Sequence, residues 1–398
     1  ALASRSFRRL FAGALASNIG TWMQNVTLIA LAYSLTGDAW FTGLITFAQL
    51  GPMLFLSPFG GALADRIDRR VLMVTLAAVQ MTLSLVLAAV ALDDTPNRVV
   101  LVLIVAGIGC AGAINGPTAN ALLPTLVPRS DMQPAIALNS VSMNTSRVVG
   151  PLLGGVVGTL GGAPLVFAVN GMTYLFVIWA LTSVDVDFSP KGASNVGPIE
   201  QLRVGLRSAR SDRIITRVLV TISLLSLCSL IFIYQMPLLA EQHLDLTGWR
   251  FNLLFASFAL GAALGAFAMG SFLSAHDRSR TTRVALGVFS VALALFGTTT
   301  FVPLAFAMAF VLGGAYFVIV TALSTTLQMR VADEVRGRVM GLWMMAWAGL
   351  VPLGGLIAGP IIDTVGISAV LVFGAVVAAL LGALIDLRDP ELVELGAE

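Results

Sequence analysis

The sequence is poor in charge, histidine and cysteine, and each shortage excludes a class of protein. Only 11% of the 398 residues are charged, whereas soluble domains average about 25%. The net charge of +2 leaves no basic surface for nucleic acid, so we expect no nucleic-acid partner. The two histidines and two cysteines show no metal-ligand spacing, and both cysteines, Cys110 and Cys228, fall inside apolar runs. We therefore expect no disulfide, no metal site and no cofactor.

Long apolar runs are the main feature that the sequence does contain. Hydrophobic residues make up 57% of the chain, and the mean hydropathy is +0.92. A helix of about 20 apolar residues crosses the roughly 30 Å hydrocarbon core of a bilayer. We predict an all-α polytopic membrane protein with twelve transmembrane helices in two pseudo-symmetric six-helix halves. The runs lie at about residues 10–35, 41–64, 71–92, 98–124, 135–160, 164–184, 215–239, 250–274, 283–302, 304–328, 338–362 and 367–386.

The basic residues predict which side of the membrane each loop faces. With twelve spans, 20 of the 23 arginines and lysines fall on the side that carries both termini. The opposite side has only Arg98 and Arg250, and Arg147 falls inside the fifth run. The first ten residues lack the apolar core of a signal peptide. By the positive-inside rule we expect both termini to be cytoplasmic. We further expect a monomeric multi-pass protein of a bacterial inner membrane, with membrane lipids as partners.

A polar linker at residues 185–213 divides the chain into an N-terminal half, 1–184, and a C-terminal half, 214–398. Within the linker, residues 199–213 carry apolar or small side chains at helical spacing among basic ones. This pattern predicts an amphipathic helix on the membrane surface. Such a helix either braces the two halves or binds anionic lipid headgroups.

The two halves also echo each other at corresponding places. Asp65-Arg66 has a counterpart in Asp277-Arg278, and residues 150–155 are answered by residues 350–355. Shared helix-packing chemistry alone produces some similarity of this kind, but two matches in corresponding runs favour internal duplication.

The loop between the second and third runs holds five charges in six residues, 65–70. An aspartate there can accept hydrogen bonds from the N–H groups that begin a nearby helix, and the arginines can pair with carboxylates across the interface between halves. We predict a conformational latch that stabilises the outward-facing state and breaks for inward opening. The alternative is that the arginines only anchor the topology. The latch residues are Gly61, Asp65, Arg66, Arg69 and Arg70.

The fifth run combines glycines, a proline and an arginine. Glycines allow helices to approach closely, and a proline removes a backbone hydrogen bond and favours a kink. A guanidinium within a span is costly unless it faces a partner or water. Arg147 therefore either attracts substrate or couples transport, or it lies near enough to the cytoplasmic end to snorkel or to pair with loop carboxylates. Tight packing without gating is the alternative for the rest of the motif. Its residues are Arg147, Gly150, Pro151, Gly154 and Gly155.

These two motifs resemble those of the major facilitator superfamily of secondary transporters, and the resemblance covers essentially the whole chain. The charged loop is similar to the signature between spans two and three, with Asp68 where the usual pattern has glycine. The fifth run is similar to the span-five signature of antiporters, with Ser146 at its leading glycine. Residues 20–25 and 336–339 narrow the likeness to the enterobactin-exporter and macrolide-efflux branch. The resemblance implies the major facilitator fold and transport by alternating access.

Alternating access needs a cavity near the membrane midplane with a few polar groups among apolar ones. Uncharged amides and aromatic rings suit a bulky, apolar or amphipathic solute. Each such residue is otherwise a helix-packing contact, as are the paired glycines Gly154/Gly158, Gly261/Gly265 and Gly355/Gly359. The predicted cavity residues are Asn18, Trp22, Asn25, Asn115, Asn139, Met143, Asn144, Phe232, Gln235, Tyr316, Trp343 and Trp347.

A proton-driven exporter usually has a carboxylate that titrates inside the membrane, and the sequence has none at mid-span. Asp38 and Glu241 lie toward the outer ends of their spans. The sequence therefore supports an exporter fold better than a proton mechanism. If protons are a partner, we expect coupling through Asp38 or Glu241 with Arg147.

Three functions from two classes remain at this point. The first is a secondary transporter that exports hydrophobic or amphipathic small molecules such as drugs and siderophore-like compounds. The second is translocation of lipid or lysolipid by the same fold. The third is a polytopic membrane enzyme, which is disfavoured because the sequence lacks metal-ligand spacing and an acidic pair within the membrane.

Overall fold

The computed structural model describes residues 4–64, 66–126, 128, 131–184, 188, 198–271, 273 and 277–387. Every regular element in these ranges is helical. Two π-helical segments lie at Leu225–Ser229 and Met345–Gly349. The α-helices are α1 (Arg5–Thr36), α2 (Ala39–Leu50), α3 (Pro52–Ala64), α4 (Arg69–Val90), α5 (Arg98–Leu126), α6 (Met132–Thr182), α7 (Pro198–Ser211), α8 (Arg213–Leu224), α9 (Phe232–Leu244), α10 (Gly248–Ser271), α11 (Arg278–Thr298), α12 (Val302–Arg330), α13 (Asp333–Met344), α14 (Leu350–Val365) and α15 (Ile367–Leu384).

Ten helical segments among the described residues are long and apolar enough to cross a membrane. One of them, Val141–Thr182, has 42 residues and would extend about 60 Å, twice the core of a bilayer. It is interrupted by non-helical backbone at Gly161 and Gly162, which divides it into the predicted fifth and sixth spans. The first predicted span is α1. It falls outside the ten because its polar side chains lower its mean hydropathy. Together these account for the twelve predicted spans.

Three predicted spans are each built from more than one helix. The second span divides at Gly51, because Pro52 begins α3 and has no N–H to continue α2. The seventh and eleventh spans each contain a π-helical segment in the middle. In such a segment each backbone N–H bonds the carbonyl five residues back instead of four. Hydropathy locates these spans but carries no signal for the breaks within them.

The chain forms two compact units. The first comprises Ala1–Pro198 with Leu246–Ala256, and the second comprises Ile199–Asp245 with Ser257–Glu398. The start of α10 thus groups with the first unit. The predicted division at residues 184 and 213 stays a prediction, as does the position of the linker helix on the membrane surface. The structure has a helix in this linker, α7.

Each unit has its own apolar core. In the first unit, Leu28, Ile45, Leu101 and Phe167 belong to a cluster that joins α1, α2, α5 and α6. In the second unit, the ring of Phe232 packs against three phenylalanines with centroid distances of 5.6 to 6.1 Å; these are Phe258, Phe289 and Phe296.

The predicted glycine seam in α10 is confirmed. A Cβ atom on Gly261 would collide with the carbonyl oxygen of Phe310, and one on Gly265 would collide with that of Gly314. Both carbonyls belong to α12, so α10 and α12 pack backbone against backbone at these two positions.

Candidate functional site

The described part of the charged loop holds the chain segment that follows α6. Asp65 lies outside the described residues, Gly61 belongs to α3, and Arg66 is exposed. The buried Arg69 donates its backbone N–H to the Phe188 carbonyl at 3.2 Å. Arg70 donates from Nη2 to the Val184 carbonyl at 2.5 Å, and its guanidinium carbon lies 4.5 Å from the centre of the Phe188 ring. We call residues 184 and 188 the first tail.

Asp68 has a local task at the start of α4. Its Oδ1 accepts hydrogen bonds from the N–H groups of Arg70 at 2.8 Å and Val71 at 3.1 Å, which makes it the N-cap of the helix. Asp277 caps α11 in the same way and accepts from the N–H of Ser279 at 2.8 Å. By this criterion the counterpart of Asp277 is Asp68, three residues after the Asp65 that the sequence comparison matched.

The second unit repeats the tail contact. After α15, the segment Ile385–Leu387, the second tail, runs along the start of α11. Arg283 donates from Nε to the Ile385 carbonyl at 2.6 Å, and the Leu387 N–H donates to the Ser279 hydroxyl at 3.1 Å. Arg217 donates to the Asp386 carbonyl at 2.6 Å. Both units thus bind the segment after their last helix at the start of their third span, which supports internal duplication at the level of contacts.

The glycines of the span-five motif form a packing seam with α1. A Cβ on Gly150 would lie 2.5 Å from the Cβ of Trp22, and one on Gly154 would lie 3.4 Å from the Cα of Met23. Gly155 faces another helix, because its Cβ would lie 3.2 Å from the side-chain nitrogen of Asn252. The backbone of α6 keeps helical torsion angles at Pro151, and the break occurs at Gly161 and Gly162 instead.

Arg147 is buried, with 9% of its surface exposed, in a cluster with two other predicted site residues. Its Nη1 donates to Asn144 Oδ1 at 3.3 Å, and its guanidinium carbon lies 5.1 Å from the centre of the Trp22 ring. The ring of Phe255 also lies near the Trp22 ring, at a centroid distance of 6.4 Å. A cation over an indole face is stabilised by about 0.5–2 kcal/mol, depending on how much water reaches it. The first unit therefore holds a guanidinium and an amide of α6 together with an indole of α1.

The two acidic residues suggested for coupling lie elsewhere. Asp38 is exposed and precedes α2, and the stretch of α1 between Trp22 and Thr36 is about 20 Å long. The structure therefore does not bring Asp38 to the Arg147 cluster. Glu241 is exposed on α9 in the second unit.

The amides of α1 take part in two separate hydrogen-bond pairs. Gln49 of α2 donates to Asn25 Oδ1 at 2.6 Å. On another face of α1, the fully buried Asn170 of α6 donates to Gln24 Oε1 at 2.8 Å and to the hydroxyl of Ser84 in α4 at 3.4 Å. A buried amide without partners would be costly in an apolar span, so these bonds fix how α1, α4 and α6 pack. Sequence reasoning missed Gln24, Gln49 and Asn170, whose only signal was a polar side chain in an apolar run.

The remaining predicted cavity residues fall into different environments. In the second unit, Trp347 donates from its indole N–H to the Tyr316 hydroxyl at 2.7 Å, so these two lie together. Phe232 and Gln235 are fully buried, and Trp343 is almost fully buried. The ring contacts of Phe232 place it in the aromatic core described above. In the first unit, Asn18 and Asn115 are half-buried, whereas Asn139 and Met143 are exposed.

A family model described as transmembrane secretion effector matches residues 1–395. The chain belongs to this family of the major facilitator superfamily. As a superfamily member it is a multi-pass membrane transporter and not an enzyme. The twelve predicted spans in two six-helix halves are the fold of this superfamily.

Relatives and solved structures agree with this assignment. The chain is 22% identical to a staphyloferrin A transporter of Staphylococcus aureus over 88% of this chain and 87% of the relative. It is 26% identical to an enterobactin exporter of Citrobacter koseri over 93% of this chain and 87% of the relative. A crystal structure of a bacterial homolog of the human lysosomal transporter Spinster matches with a TM-score of 0.73 at 15% identity, covering 95% of this chain and 96% of the other. The nucleoside transporter NupG matches with a TM-score of 0.74 at 13% identity, covering 95% and 98%.

Proposed function

We propose that this major facilitator transporter exports hydrophobic or amphipathic small molecules of the siderophore and drug type by alternating access. The observation that carries the proposal is the Arg147 cluster, in which a guanidinium packs against the Trp22 ring beside the Asn144 amide. A cation, an aromatic face and an amide suit a solute that combines acidic or phenolic groups with apolar surface. Relatives named for staphyloferrin A and enterobactin support this substrate class.

We also propose that both termini face the cytoplasm of a bacterial cell and that export is driven by proton exchange. The arginine-rich loops support the orientation through the positive-inside rule. In this scheme Gly61, Asp65, Arg66, Arg69 and Arg70 act as the latch on the cytoplasmic face. Asp38 or Glu241 carries the proton, and Arg147 contributes through the conformational change and not as a direct partner of Asp38, which the structure does not bring to the Arg147 cluster.

The test is transport by the purified chain in proteoliposomes with an imposed pH gradient. The substrates are a catecholate siderophore, a carboxylate siderophore, a cationic dye and a fluorescent lysolipid. We expect movement of a siderophore or the dye that collapses when the gradient is dissipated. Movement of the lysolipid alone would replace the proposal with lipid translocation, and movement of none of the four would contradict it.

Arg147→Gln is the variant that tests the cluster. We expect it to lower the initial rate of siderophore transport by about tenfold or more, because it removes a charge-assisted contact to an acidic solute. Arg147→Lys keeps the charge and should retain part of the rate. The matched control is Arg203→Gln on α7, where the arginine side chain is 75% exposed. Equal rates for Arg147→Gln and the wild type would exclude Arg147 from the substrate path.

A further inference from the structure

The second unit contains an open cavity of about 710 Å³ between α11 and α12 that the transport proposal does not use. This volume lies within the range of small-molecule sites, which is about 300–1,000 Å³. Its walls are lined by Val284, Val288, Val311, Ala315 and Val318, and its polar rim by Asp277, Arg280 and Thr281. We call this cavity the α11–α12 groove.

The groove is polar at one end only. The rim residues all belong to the first turn of α11 or its N-cap, and the walls beyond them are valine and alanine. From Thr281 to Val288 the groove follows α11 for about 10 Å. A ligand that fits both parts has one polar end and an apolar chain.

The groove opens sideways toward the surroundings of the helix bundle. Val284 is 60% exposed and Val288 is 45% exposed, although α11 is one of the helices apolar enough to cross a membrane. Exposed valines on a membrane-spanning helix suit contact with lipid tails, because apolar side chains are costly next to water. The apolar part of the ligand is therefore an acyl chain.

The charges at the rim favour a phosphate as the polar end. Arg280 lines the groove and Arg278 is the first residue of the same helix, whereas the Oδ1 of the lining residue Asp277 accepts the Ser279 N–H. The first turn of α11 adds the partial positive charge of a helix N-terminus. The third arginine nearby, Arg283, is directed to the second tail, where it bonds Ile385 and lies 3.7 Å from Asp386.

We propose that the α11–α12 groove binds an anionic glycerophospholipid, with its phosphate on the Arg280 guanidinium and the Thr281 hydroxyl and one acyl chain along Val284 and Val288. This site is separate from the Arg147 cluster, which belongs to the first unit. It does not depend on the identity of the exported substrate. A lipid held there contacts α11 and α12 together and stabilises their packing.

The experiment measures how much lipid stays bound to the full-length chain. Purified protein in detergent is titrated with dioleoylphosphatidylglycerol or dioleoylphosphatidylcholine, and bound lipid is counted by native mass spectrometry. We expect Arg280→Gln to weaken phosphatidylglycerol binding by about tenfold, as loss of one charge-assisted contact does. Val288→Trp should weaken it as well, because the indole fills the groove.

Two control variants separate this site from general attraction to the protein. Arg8→Gln removes an exposed arginine on α1, and Val291→Trp adds the same indole at an exposed α11 position outside the groove lining. Both should bind phosphatidylglycerol as the wild type does. Equal binding by Arg280→Gln and Arg8→Gln, or tighter binding of phosphatidylcholine than phosphatidylglycerol, would overturn the proposal. Val284→Trp serves as a second groove-filling variant if Val288→Trp does not fold.

Discussion

Asp65 and Asp68 lie three positions apart in the sequence before α4, and the structure assigns a role to Asp68. Asp68 is an N-cap, since its carboxylate accepts two backbone N–H groups of the helix that it precedes. Its contribution is to the stability of α4, and the same holds for Asp277 at α11. A role in switching between conformations is therefore proposed for Asp65 and not for Asp68.

Asp68→Ala should lower the stability of the protein. The variant leaves two N–H groups of α4 without their acceptor, which costs about 1 kcal/mol. The measurement is the apparent Tm of the purified protein in detergent. Asp68→Asn is the matched control, because an asparagine oxygen can still cap the helix. Equal losses of Tm for the two variants would show that the charge of Asp68, not the cap, matters.

Asp65→Asn should abolish transport while expression and Tm stay unchanged. The change removes the negative charge of the proposed latch and keeps the shape of the side chain. The proteoliposome assay described above measures the effect. If transport by Asp65→Asn equals that of the wild type, the loop serves only to anchor the topology.

At the scale of a helix, the contact between α10 and α12 tolerates no side chain at two positions. A methyl group at Gly261 would press on the Phe310 carbonyl, which belongs to the helix backbone and cannot move alone. Forcing an extra carbon into a packed contact typically costs about 1–3 kcal/mol. The seam thus sets the distance between these two helices.

Gly261→Ala should therefore destabilise the protein, with a lower apparent Tm in detergent. The matched control is Gly287→Ala in α11, where an added Cβ meets no atom within 4 Å. That variant should raise stability by about 0.5–1 kcal/mol, because alanine favours the helix. A Tm for Gly261→Ala equal to that of the wild type would mean that α10 and α12 separate freely.

Hydropathy predicted where the spanning helices lie, because a bilayer imposes one length on all of them. It did not predict the break at Gly51 or the π-helical segments, which depend on local hydrogen bonding within a span that is apolar throughout. The sequence predicted Trp22 and Asn144 as cavity residues and Arg147 as a residue of the span-five motif, and the structure brings these three side chains together. It did not separate Asn25, which pairs with Gln49, from Gln24, which pairs with Asn170, since only the packed neighbours distinguish the two faces of α1.

For the whole molecule, the distribution of arginine predicts the orientation in the membrane. The test uses a variant in which Cys110 and Cys228 are replaced by alanine and single cysteines are introduced at Thr95 or Arg203. Thr95 lies between α4 and α5, and Arg203 lies on α7. In intact cells a membrane-impermeant thiol reagent should label Thr95→Cys and not Arg203→Cys. The reverse labelling would invert the proposed topology.

The two tails have a consequence for the chain as a polymer. Each is bound by the half to which it is attached, the first through Arg69 and Arg70 and the second through Arg217, Arg283 and Ser279. A cut placed within residues 189–197 therefore separates no tail from its binding partners. We expect that two co-expressed polypeptides, ending before and starting after that cut, assemble into a transporter that co-purifies through a tag on either piece. A cut just before residue 184 would remove the first tail from its half, and the pair should then assemble poorly.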